Sequence, residues 1–237
     1  MKKEEKEAFR PITVEEHQEL GRRHAERKVT AVNDALGFPV GNRFDEDLNA
    51  ILNSEAEANG EIVAIALIDC DRFDHINKDF GGDEGDRVLI EAGKYIRDSL
   101  PEGAKVYRIG GDEFGILFRG TMEREEIFLF LNELKNNYCV KTPDGERQTF
   151  TIGMATAFED ANRCAELVRK ADGALFRAKV SGGNKVAMAK EEKMVPKTSH
   201  FTQDQLQRLA KLSKREGVGE AILLREGLDL LLKKYDI

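Results

Sequence analysis

Two stretches, Ile68-Asp69-Cys70-Asp71-Arg72-Phe73 and Arg108-Ile109-Gly110-Gly111-Asp112-Glu113-Phe114, share one pattern: an apolar run meets an acid where the backbone must turn. Ile62 to Ile68 is an unbroken apolar run, which predicts a strand buried on both faces, with Asp69 at its end. Lys105 to Ile109 and Phe114 to Phe118 flank Gly110-Gly111-Asp112-Glu113, which predicts a hairpin with acids at its tip. If the strands are neighbours, Asp69 and Asp112 meet at one sheet edge. Paired carboxylates beside glycines that admit a ligand to the backbone suit divalent-metal and phosphate chemistry. A lone Asp-x-Asp is more often a pair of exposed turn acids; the glycine hairpin tips the balance.

Helices and further strands surround this centre. Residues from Val14 to about Leu36 predict a helix. Ala25, Val29, Val32 and Leu36 lie at heptad spacing, compatible with a short coiled coil or with packing on the main domain. Phe44 to Ala58 reads as an amphipathic helix broken at Gly60. After Asp69 come a short helix, a glycine loop, and a helix carrying Leu89, Ala92, Ile96 and Leu100 inward. Glu123 to Tyr138 and Arg163 to Ser181 are further helices. Gln148 to Ala157 and Lys185 to Met188 are strands, with a Thr142-Pro143-Asp144-Gly145 turn ahead of the first. Alternating elements with a hairpin in the middle imply an α/β (α+β) domain, a mixed central sheet flanked by helices.

The chain has 237 residues, a 41% hydrophobic fraction and a net charge of −7, enough for a core and a soluble surface. No run approaches a membrane span, and the lysine-rich start lacks an apolar stretch, so neither membrane insertion nor a signal peptide is expected. Cys70, Cys139 and Cys164 form no metal or disulfide framework, which suggests the cytoplasm. From Lys193 onward basic residues outnumber acids, nine to six, against the acidic remainder, suggesting a separate C-terminal module. In it, Pro196 to Phe201 could form a short strand. Thr202-Gln203-Asp204-Gln205 has capping-box form, and two leucine-spaced helices follow around a break at Gly217-Val218-Gly219. So small a unit cannot bury a core alone.

Gly110-Gly111-Asp112-Glu113-Phe114 resembles the naming motif of the GGDEF family, the diguanylate cyclases, and the likeness runs from about Asp34 to Met188. It implies a fold similar to the polymerase palm and the nucleotidyl cyclases. It also implies condensation of two GTP molecules into cyclic di-GMP across a homodimer. Asp69, the Cys70 carbonyl and Asp112 match the family's ligands for Mg²⁺ (or Mn²⁺), and Glu113 matches the second acid beside metal and nucleotide. Asn77 and Asp86 match the guanine readers. Asp86 favours guanine over adenine by hydrogen-bond polarity, although an acid near a helix N-terminus also has a purely structural explanation. Gly110 and Gly111 border the nucleotide, and backbone N–H groups of Arg72 and Phe73 could cradle phosphate. Of the family's three phosphate cations only Lys179 is present; the others are Asp74 and Gly183 here, with Lys78 and Lys185 as nearby candidates to compensate. The opening motif around Asp34-Ala35-Leu36-Gly37 lacks its threonine and carries one extra residue. The product-inhibition pair is replaced by Pro101 and Ala104, so feedback by that route should be absent.

The segment from about Pro196 to Tyr235 resembles the ribbon-helix-helix family, whose copies intertwine as dimers. The expected organisation is therefore an N-terminal segment and helix (1–36), a cyclase-like domain (37–189), and a linker with a dimerisation module (190–237). Two functions compete: a diguanylate cyclase, or a DNA-binding regulator using residues 196–237 with a weak or inactive nucleotide-sensing domain. The outward ribbon positions Pro196, Thr198 and His200 carry no arginine or lysine, which counts against DNA. A cyclase making another cyclic nucleotide is a third reading, and Asp86 argues against an adenine-containing product.

Overall fold

The computed structural model describes residues 31–39, 42–190, 197–216 and 219–235. It divides into two compact units, the first ending at Glu191 and the second beginning at Glu192.

Five strands form one sheet in the first unit: β1 (Ile62–Cys70), β2 (Ala104–Arg108), β3 (Glu113–Gly120), β4 (Phe150–Thr156) and β5 (Val186–Met188). Their order is β2-β3-β1-β4-β5, with β1 antiparallel to β3 and β4, and β4 parallel to β5. Being central, β1 is covered on both faces, as its unbroken apolar run requires. Helices α1 (Arg43–Leu52), α2 (Phe73–Phe80), α3 (Gly82–Ser99), α4 (Arg124–Asn137) and α5 (Cys164–Val180) supply the layers.

Strand alternation sorts the two cores. Ala64, Ala66, Ile68 and Cys70 pack with Leu89, Ala92 and Ile96 of α3 and Ile127, Leu131 and Leu134 of α4. Val63, Ile65 and Leu67 pack with Phe44 and Leu48 of α1 and Leu167, Ala171 and Leu175 of α5. Each fully buried aliphatic side chain stabilises the fold by about 1.5–3 kcal/mol. The alternation carries on to the functional end of β1, so Asp69 falls on the α5 side and Cys70 on the α3/α4 side.

Some expectations shift. Helix α1 stops at Leu52, six residues before Ala58. There the Asn53 amide and the Ser54 hydroxyl donate to the Asn49 and Ile51 carbonyls, offering the backbone an alternative to a further turn. The glycine loop shrinks to Gly81, because α3 begins at Gly82. Residues 31–36 are helical, and Val32 and Leu36 are buried in the domain core with Phe38. Packing thus wins for the described half of the heptad seam; Ala25 and Val29 lie outside the described residues.

The second unit contains α6 (Gln203–Glu216) and α7 (Glu220–Lys234). Thr202 and Gln205 exchange the hydrogen bonds of a capping box, as their spacing predicts. Residues 197–202 form no strand in the single chain. A ribbon strand needs a second strand for its backbone groups, and one copy does not provide it. Leu206, Leu224, Leu228 and Leu231 are exposed, as expected of helices too short to enclose a core.

Candidate active site

The C-terminal end of β1 and the β2–β3 turn form one edge. Asp69 pairs in register with Glu113, and the Cys70 N–H donates to the Asp112 carbonyl at 3.2 Å. Backbone pairing alone therefore brings Asp69, Asp112 and Glu113 to the same sheet edge. A Cβ on Gly110 would lie 2.6 Å from Glu113 Oε2, so a side chain there would displace the Glu113 carboxylate. Gly111 is exposed at the tip.

Lys179 answers this cluster from α5, and the Arg108 charge also reaches Asp112. Ala171, Leu175 and Lys179 follow one another at i, i+4, i+8 on α5, the helix covering the Asp69 face. Lys179 Nζ ends 2.6 Å from Asp69 Oδ2. Burial raises the Asp69 carboxyl to about 6; Lys179 opposes that rise, while Asp112 and Glu113 add to it. Burial also raises Asp112. Even with Lys179 in place, the edge carries more negative charge than it can neutralise.

That imbalance bears on the expected metal. Among the described residues no three His, Cys, Asp or Glu side chains converge as a ligand set. Two desolvated carboxylates and the Cys70 carbonyl are hard oxygen donors. Their chemistry suits a hard divalent ion such as Mg²⁺ or Mn²⁺.

Asn77 lies on α2 and Asp86 on the second turn of α3, one turn deeper than a helix-terminal acid. Neither side chain makes a protein hydrogen bond among the described residues; Asp86 lies within electrostatic reach of Arg108, and Asn77 Oδ1 packs against Gly85. Arg72 adopts a left-handed conformation (φ 56°), which turns the chain sharply from β1 into α2. The N–H groups of Arg72, Phe73 and Asp74 consequently have no protein acceptor among the described residues, while the Phe73 ring packs on the core. Lys185 is engaged elsewhere, bonded to the Ser181 carbonyl at the end of α5. Lys78 and Asp74 are exposed.

Two supporting residues had no part in the sequence expectations. Arg108 is buried and donates to the Gly111 carbonyl at 2.6 Å and to Asn33 Oδ1 at 2.8 Å. It ties the hairpin tip to the helical residues 31–36. Asp71 accepts from the hydroxyls of Thr149 and Thr151 and from the Asn184 N–H. It fixes β4 and the loop before β5, and its oxygens face these donors rather than Asp69. Arg108 adjoins the glycines and could have been singled out; nothing local marks Asp71 as a hub.

Residues 34–185 match the family model "Diguanylate cyclase, GGDEF domain". The chain belongs to the GGDEF family. Residues 193–236 match the ribbon-helix-helix domain. Over 127 residues the chain is 34% identical to diguanylate cyclase DgcM of Escherichia coli K12, covering 53% of this chain and 30% of that protein. It is also 27% identical over 193 residues to a Pseudomonas aeruginosa protein named cyclic di-GMP phosphodiesterase NbdA, covering 79% of this chain and 24% of that protein. The chain thus spans about a third or less of these relatives. The crystal structure of the GGDEF domain of YfiN (TpbB) from Pseudomonas aeruginosa superimposes with a TM-score of 0.61 at 29% identity, covering 66% of this chain and 99% of that one. The mixed sheet with flanking helices is therefore the GGDEF fold. No described helix is long and apolar enough to cross a membrane.

Proposed function

We propose that this chain is one half of a diguanylate cyclase, which joins two GTP molecules into cyclic di-GMP and two pyrophosphates. The observation that carries this reading is the placement of Asp69, Asp112 and Glu113 at one sheet edge, with Asn77 and Asp86 side chains that make no protein hydrogen bond among the described residues on the adjoining helices. In each half-reaction a 3′-oxygen bonds to the α-phosphorus of the opposing GTP, and the bond from that phosphorus to the bridging oxygen breaks. Two such events close the ring, and neither copy alone presents both nucleotides.

Asp69, Asp112 and the Cys70 carbonyl would hold a Mg²⁺ or Mn²⁺ ion. When bound, such an ion offsets triphosphate charge and acidifies a hydroxyl. Glu113, beside Asp69, is assigned to accept the 3′-hydroxyl proton. The Asp86 carboxylate accepts from guanine N1–H and the exocyclic amine, and the Asn77 amide adds a second polar contact. The free N–H groups at the start of α2 receive phosphate oxygens. Lys179 exchanges Asp69 for the triphosphate as nucleotide enters. With Asp74 and Gly183 at two cation positions and Lys185 engaged at Ser181, GTP is held with fewer charges, which favours a raised KM.

The second unit suits a dimerisation role, since a dimer holds two half-sites at high effective concentration. Its match to the ribbon-helix-helix family also supports a second reading, a DNA-binding regulator whose GGDEF domain senses nucleotide without turnover. Incubation with GTP and Mg²⁺ separates the two. Cyclic di-GMP that disappears in Asp112→Ala supports the cyclase. GTP binding without product, together with a DNA mobility shift lost on removing residues 193–237, supports the regulator.

A further inference from the structure

Gly85 sits in the second turn of α3 with ordinary helical backbone, where alanine is the better helix former and glycine needs a reason. The reason is contact with α2. A Cβ on Gly85 would lie 2.1 Å from Asn77 Oδ1, 3.0 Å from Asn77 Cγ and 3.1 Å from the tip of the Phe73 ring. No real Cβ approaches an oxygen that closely, so any side chain here displaces the Asn77 amide. Gly85 is buried and directly precedes Asp86. The two helices are joined only by Gly81, in an extended left-handed turn (φ 86°, ψ 162°) that leaves the α2–α3 approach to be set by such packing.

We infer that Gly85 is a positioning residue for base selection: its missing side chain seats the Asn77 amide against α3, beside Asp86, so that both act on one base. Another small residue would not serve, because even a methyl group overlaps the amide oxygen. The inference rests on the assignment of Asn77 and Asp86 to guanine. It adds that the selectivity of the pair depends on a residue that does not touch the nucleotide.

Equilibrium binding of α,β-methylene GTP and α,β-methylene ATP to the full chain, with Mg²⁺, tests it. The wild-type protein should prefer the guanine analogue. Gly85→Ala should lose about tenfold or more of the guanine affinity while its adenine affinity stays within about twofold. Asn77→Ala should show the same loss, and Asn77→Ala/Gly85→Ala should lose no more than Asn77→Ala alone, because the overlapping amide is gone. Gly93→Ala, whose Cβ would meet Leu36 at 2.6 Å on the same helix, lowers the melting temperature without moving the base preference. If Gly85→Ala does not fold, the double variant should restore folding, and failure to do so overturns the inference. Unchanged selectivity in Gly85→Ala, equal loss of both analogues, or further loss in the double variant also overturns it. A wild-type protein without guanine preference instead removes the assignment of Asn77 and Asp86, and the role of Gly85 with it.

Discussion

Lys179 Nζ lies 2.6 Å from Asp69 Oδ2, so the lysine proposed to meet phosphate is paired with the carboxylate proposed for the metal. Lysine and a divalent ion are then alternatives at Asp69. Removing the lysine frees the carboxylate for metal and takes a charge from the triphosphate. Lys179→Ala should therefore bind Mn²⁺ more tightly in the absence of nucleotide, by up to about tenfold given a partly solvated ion pair. Its GTP affinity should fall. Calorimetric titration with Mn²⁺ and then with GTP reads both signs, and parallel changes would contradict the exchange.

Arg108 offers a structural test of the hairpin tip. It is buried and joins Gly111 to Asn33, so Arg108→Met leaves two acceptors without their donor while keeping most of the packing volume. A loss of about 2–4 kcal/mol is expected in urea unfolding. Turnover should fall as well, since the Gly110–Glu113 turn loses its anchor.

Gly153 of β4 is a severe packing constraint. A Cβ there would stand 2.2 Å from the Ala171 carbonyl oxygen and 2.3 Å from the Leu175 nitrogen, both backbone atoms that cannot rotate away. Gly153→Ala should push α5, and Lys179 with it, off the sheet. A loss above about 3 kcal/mol is expected, or failure to fold. Circular dichroism melts check it.

The three thiols should differ in reactivity. Cys70 and Cys164 are buried, and burial raises the Cys164 thiol to about 12 and Cys70 well above the ordinary range. Cys139 is exposed. Iodoacetamide at neutral pH should label Cys139 alone in the folded chain and all three in denaturant, as read by mass spectrometry.

The sequence and the structure agree most closely where one physical rule dominates. Burial on both faces wrote β1 as a continuous apolar run, and the need for a tight turn wrote Gly110-Gly111, so the sheet centre and its acidic edge were legible. Helix α1 ran short because Asn53 and Ser54 compete for its last carbonyls, a local effect weaker than the apolar periodicity that masks it. The Lys179–Asp69 contact spans 110 residues, and the Asp71–Thr151 contact spans 80; neither leaves a local trace. Gly85 carries no local mark in the sequence, because its close approach to Asn77 exists only where α2 packs on α3. The strand expected at Pro196 to Phe201 is absent over the described residues 197–201, where a single chain offers no neighbouring strand for the backbone to pair with.

The central claim is that each copy carries half of one reaction, and a subunit-mixing titration tests it most directly. Wild-type chain is mixed with increasing Asp112→Ala chain at fixed total concentration, allowed to exchange, and cyclic di-GMP formation from GTP and Mg²⁺ is measured. If both sites are needed, activity falls as the square of the wild-type fraction, to about a quarter in an equal mixture. A linear fall to one half, or no cyclic di-GMP from the wild-type chain alone, would contradict the account.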